Sequence, residues 1–167
     1  MGNYITAKAE SLINQYGTSD PFELADALHI TIIYKSYQKM KGLYTIINRC
    51  RYIAINENLS EEEQRIVCVH ELGHDMLHRT LATSKALQEY VLYDMKDRPE
   101  FEANTFAAAL LLRDEDVLKY IKEGYDIVQI ASLLYTDINL LLVKLQNMNK
   151  DGYNIRIPYD VKHNFLK

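Results

Sequence analysis

Cysteine, proline and glycine are all scarce in this 167-residue chain, which holds two, three and six of them. Two thiols cannot build a disulfide scaffold, and without a secretory leader Cys50 and Cys68 read as reduced residues. So few prolines and glycines leave no linker and no low-complexity tract. Long apolar runs are missing too. The longest, Phe106 to Leu112, has 7 residues, against the roughly 20 that a membrane span needs. The opening MGNYITAKAE has no basic stretch followed by an apolar one, so no secretory signal is read and the expected location is the cytoplasm. Positive charge is in deficit, with 19 Lys and Arg against 23 Asp and Glu for a net charge of −4, which argues against a protein that wraps nucleic acid. What is present is ordinary globular stuff. At 48% hydrophobic and 25% charged, the chain carries enough apolar surface for one core and has the length for one domain.

Residues 5–16 place Ile5, Ala9, Leu12, Ile13 and Tyr16 at helical spacing before Gly17. Ser19 or Asp20 then caps a second helix that begins at Pro21. From Ile30 the texture changes to ITIIY, GLYTIIN and RYIAIN, short β-branched and aromatic runs that predict a small antiparallel three-stranded sheet, with Asn48 to Cys50 turning the last hairpin. Ser60 and Glu63 form a capping box for a helix running to about His78. Helical spacing returns at about 84–94, 98–112, 114–122, 126–135 and 137–148. The class is therefore α+β: N-terminal helices, a small sheet, a central helix and a C-terminal helical bundle.

Chemistry is concentrated in His70-Glu71-Leu72-Gly73-His74, an H-E-x-x-H inside the predicted Ser60–His78 helix. At 3.6 residues per turn, His70 and His74 lie one above the other, so both imidazoles can reach one zinc ion. Glu71 is turned by roughly 100° from His70. It flanks the metal, where its carboxylate can take a proton from an activated water. Ile66 and Leu77 share the histidine face, which points it inward. Gly73 inside a helix costs about 1 kcal/mol relative to alanine, so close backbone approach is expected there.

A catalytic zinc takes three protein ligands. Candidates for the third are His78, Glu89, Asp94, Asp97, Glu100 and Glu102. His78 lies one turn beyond His74, and three ligands stacked on one helix would diverge from a tetrahedral ion. It is better suited to packing, to hydrogen bonding behind a ligand, or to the helix C-terminus. Glu100 and Glu102 stand roughly 200° apart on one predicted helix, so only one can face the metal. Periodicity does not choose between them, although a capping pair of Asp97 with Glu100 would leave Glu102 freer.

HELGH at 70–74, His78 closing a longer HELGHDMLH, and EANTFAAALLL at 102–112 together resemble the ImmA/IrrE-type zinc metallopeptidases associated with phage and mobile-element repressors. The resemblance covers roughly residues 20–115. It implies a zincin-like fold, zinc as cofactor, and Glu102 as the third ligand beside His70 and His74, with Glu71 as the catalytic base. It also implies a cytosolic protein substrate, a helix-turn-helix repressor cleaved to derepress a prophage or mobile element, with no direct nucleic-acid or membrane partner. Where many members carry Leu-Leu-Met-Pro, this chain reads Leu111-Leu112-Arg113-Asp114. The expected organisation is one metallopeptidase domain over 1–152, with a catalytic core of about 20–115 and a helical extension over 116–152, followed by a tail over 153–167.

Two other readings compete. A zinc-containing antirepressor could capture its partner without cleaving it, but a pure binder has no use for Glu71 beside the ligands. Residues 126–148 have a helix-turn-helix layout, yet Lys144 is the only basic residue in them, too little for a phosphate-binding surface.

Overall fold

The computed structural model describes residues 2–82, 87–89 and 98–156. Seven helices and four strands are seen among them. Helix α1 (Gly2–Tyr16) buries Ile5, Ala9 and Leu12. Helix α2 (Pro21–Ala27) is capped by Asp20, whose carboxylate accepts from the backbone N–H of Phe22 at 2.8 Å and of Glu23 at 3.1 Å. Strands β1 (Ile30–Lys35), β2 (Gly42–Ile47) and β3 (Cys50–Asn56) follow. Asn48 and Arg49 both take positive φ, 50° and 66°, as a two-residue turn that matches the twist of its flanking strands requires.

The α+β class is as expected, but the sheet differs in two respects. It is mixed rather than wholly antiparallel, because β3 lies between β1 and β2, parallel to the first and antiparallel to the second. The cause is in the loop after β1. Buried Asn56, at the end of β3, donates from Nδ2 to the carbonyls of Tyr37 at 2.9 Å and Met40 at 3.0 Å. The loop is thereby held across the end of β3, so β1 and β2 are parted instead of folding back on each other. The second difference is a fourth strand, β4 (Leu87–Glu89), which pairs antiparallel with Gly42–Tyr44 of β2. The helix expected at about 84–94 is therefore strand where residues are described, and the rest of it lies outside the described residues. Asp94 and Asp97 also lie outside them, as does the tail beyond residue 156.

Helix α3 (Glu61–Ala82) opens with the expected capping box: the Glu63 N–H donates to Ser60 Oγ at 3.2 Å, and the Ser60 N–H to Glu63 Oε2 at 3.2 Å. Every residue from Ile66 to Asp75 is buried. The sheet, α2 and helix α4 (Arg98–Leu111) pack against α3, and α1 packs on α4. At Gly73 a side chain would meet the Ala103 Cα and carbonyl oxygen, each 3.2 Å away. Backbone approach is what this glycine permits. Helices α5 (Asp114–Lys122), α6 (Ile127–Leu133) and α7 (Ile138–Lys150) complete the chain. Helices α6 and α7 meet at 105°, a helix-turn-helix angle, yet buried Lys144 is spent on an ion pair with Asp114. Among the described residues no single helix is long and apolar enough to cross a membrane.

Fully buried Asp75 ties the sheet to α3. It accepts from the Tyr44 hydroxyl on β2, from Arg51 Nη1 on β3 at 2.8 Å and from Arg79 Nη2 at 2.8 Å, while the Arg51 guanidinium also donates to the Leu28 carbonyl. Burial, then the bond to Asp75, raises the Tyr44 pKa, so the phenol stays a donor. Asp75→Ala would strand the Tyr44 hydroxyl and take the carboxylate partner from Arg51, leaving it the Leu28 carbonyl, and a loss of about 3 kcal/mol is expected; chemical denaturation of the purified variant measures it.

Candidate metal centre

Two turns of α3 and the first turns of α4 build the centre. His70 and His74 are buried, with their Nε2 atoms 3.1 Å apart. Glu100, on α4, brings Oε2 to 3.0 Å from His70 Nε2 and Oε1 to 3.4 Å from His74 Nε2. One ligand atom from each of the three lies within 4.8 Å of the others.

Each imidazole is held from behind through Nδ1. His70 Nδ1 is 2.9 Å from Asn104 Oδ1, one helical turn beyond Glu100. A carbonyl oxygen accepts, so His70 carries its proton on Nδ1 and turns the Nε2 lone pair inward. His74 Nδ1 is 3.1 Å from His78 Nδ1, and His78 Nε2 is 3.0 Å from Glu102 Oε2. Read outward, His74 donates to His78 and His78 donates to Glu102, which leaves the His74 Nε2 lone pair inward as well. Arg98 Nε closes the chain, donating to Glu102 Oε1 at 2.8 Å. Burial raises the Glu102 pKa, but the bonds from Arg98 and His78 outweigh it and hold the carboxyl below its ordinary range. His78 stands one turn after His74, on the same face, and α3 leaves helical geometry at His78, at φ −127° and ψ 24°.

The expected residues are thus divided. His70 and His74 converge as the H-E-x-x-H spacing requires. Glu102 does not join them, because it is engaged by His78 and by Arg98 one turn before it. Glu100, on the other side of α4, takes the position beside the two imidazoles. The signal that could have separated the two glutamates is Asn104, which lies four residues after Glu100 and so on the same face.

The donor set fits a divalent metal. Two inward lone pairs and a carboxylate packed at 3.0–3.4 Å repel one another unless a cation lies between them. Zinc bonds of about 2.0–2.1 Å in a tetrahedron would set ligand atoms about 3.3 Å apart. Burial pushes the His74 pKa down, against the pull of Glu100, toward the neutral form that ligates.

Glu71 is fully buried. Its carboxylate lies against the start of β2, where a side chain on Gly42 would come within 2.6 Å of Glu71 Oε1 and 2.5 Å of Val67 Cγ1. Gly42 is a site residue that the motif does not announce.

Residues 25–154 match the IrrE N-terminal-like domain, a peptidase family. The chain is 40% identical over 128 residues to Uncharacterized immunity region protein 2 of Bacillus phage phi105, covering 76% of this chain and 80% of that protein. It is 35% identical over 133 residues to Metallopeptidase ImmA of Bacillus subtilis (strain 168), covering 77% and 76%. With matches of this extent, and with paired histidines and a carboxylate gathered at one buried point, the chain belongs to the IrrE N-terminal-like family of metallopeptidases.

Proposed function

We propose that this protein is a zinc-dependent endopeptidase that cleaves a regulatory protein of a prophage or mobile element, a helix-turn-helix repressor. The observation that carries the chemistry is the convergence of His70 Nε2, His74 Nε2 and the Glu100 carboxylate, with Glu71 on the same helical turn. The phage immunity-region name of one relative and the metallopeptidase name of the other support the biological setting.

His70, His74 and Glu100 would hold the ion. Bound there, zinc supplies a Lewis acid that polarises the scissile carbonyl and acidifies water. Glu71 takes the proton from the water that attacks the carbonyl carbon, and delivers it to the amine nitrogen as the peptide bond breaks. Burial beneath β2 gives that carboxylate one orientation. Asn104 on one side and His78 with Glu102 on the other keep both imidazoles in the ligating tautomer.

The ligand assignment is tested by metal analysis of purified variants. Wild type should carry about one zinc per chain. Glu100→Ala should lose it, whereas Glu102→Ala should still bind zinc with affinity lowered about 10–100-fold; retention by Glu100→Ala and loss by Glu102→Ala would overturn the assignment. Glu71→Gln should keep the metal and abolish derepression in cells, and undiminished derepression would point to partner capture instead. Gly42→Ala should also keep the metal while cutting turnover at least tenfold, because the new methyl group displaces Glu71; steady-state kinetics at matched zinc content reads this.

A further inference from the structure

The β2 edge nearest Glu71 is already taken. Gly42, Leu43 and Tyr44 pair with Ile55, Ala54 and Ile53 of β3 on one side, and with Glu89, Gln88 and Leu87 of β4 on the other. Gly42 is the residue against which the Glu71 carboxylate packs. A peptide that presents its scissile bond to Glu71 needs backbone partners close by, and an exposed strand edge supplies them in register. Strand β1, at the opposite border of the sheet, is separated from Glu71 by β3 and β2. The cover therefore includes Gly42, the residue packed against the proposed catalytic base.

We propose that β4 occupies the position of the substrate strand, so that an extended segment of the protein substrate binds antiparallel to β2 by displacing residues 87–89. This rests on the reading of His70, His74, Glu100 and Glu71 as a peptidase centre. The described pairing spans Leu87–Glu89, and an extended substrate segment would replace its backbone bonds in the same antiparallel register. The device favours long extended substrates over short or folded ones. It ties turnover to a partner with enough strand to compete.

The test locks the strand. In a Cys50→Ser background, Leu43→Cys and Gln88→Cys introduce thiols at positions opposite each other in register. The zinc-loaded full chain is titrated, oxidised and reduced, with two probes: acetohydroxamate, which needs only the metal, and an extended tripeptide hydroxamate, which also needs the β2 edge. Acetohydroxamate should bind both forms alike, and the tripeptide should bind the oxidised form at least tenfold more weakly than the reduced form. Gln88→Pro, which weakens the β4 pairing without a crosslink, should bind the tripeptide several-fold more tightly than wild type and speed amide exchange at Leu43 and Tyr44. Equal tripeptide affinity in locked and reduced chains, with Gln88→Pro unchanged, would overturn the proposal and leave β4 a structural edge. Zinc loading with no binding of either probe by any form would instead overturn the peptidase reading, and this proposal with it.

Discussion

The contact on which the centre depends is the backbone approach of α4 to α3 at Gly73 and Ala103. A helix carrying H-E-x-x-H can offer two imidazoles, but nothing in that helix can close the set, because ligands stacked along one axis diverge. The third donor must come from a second helix lying close enough for a short glutamate side chain to span the gap. Gly73 removes the Cβ that would hold α4 away, leaving 3.2 Å between the site of that missing atom and the Ala103 backbone. From that one contact follow the reach of Glu100 to both Nε2 atoms and the reach of Asn104 to His70 Nδ1. The helix propensity lost at Gly73, about 1 kcal/mol, is offset by the packing of α4 across the buried face of α3.

A second constraint fixes α3 against the sheet. Asp75 binds side chains from both β2 and β3, and it follows His74 directly. The strand pair and the ligand helix are therefore joined one residue from a proposed ligand. This anchoring sets where Gly42 falls relative to Glu71. A Cβ on Gly42 would lie 2.6 Å from Glu71 Oε1, leaving no room for a larger residue, so the proposed base is oriented by a strand rather than by a loop. Such a carboxylate has little rotamer freedom to lose when a substrate arrives.

Much of this was legible in the chain, and the parts that were not share a cause. The capping box at Ser60 and Glu63, the helix stop at Gly17, the turn at Asn48 and the H-E-x-x-H helix all rest on residues within a few positions of one another, where spacing is informative. Gly73 was legible as a point of close approach because a buried helical glycine has few other uses. The parallel pairing of β1 with β3 was not, since it depends on Asn56 reaching over a loop about sixteen to nineteen residues earlier. Strand β4 was hidden because the partner edge that makes three residues a strand is far away in sequence. Glu100 and Glu102 were inseparable by periodicity, each being followed one turn on by a single apolar residue, Ala103 and Phe106 respectively. What divides them in space is polar: Asn104 follows Glu100 by one turn, and Arg98 precedes Glu102 by one turn.

The division between the two glutamates gives each a task on the same pair of histidines. Glu100 faces the inward nitrogens, and Glu102 works through His78 on the outward nitrogen of His74. The second route uses the four-residue spacing of His74 and His78, which sets their rings one above the other on α3. Both routes begin on α4, so any displacement of α4 relative to α3 disturbs the front and the back of the centre together. In the proposed centre, metal binding and the packing of these two helices would be one equilibrium. An ion drawing His70, His74 and Glu100 together would stabilise the α3–α4 contact, and loosening that contact would weaken the hold on the ion by the same free energy.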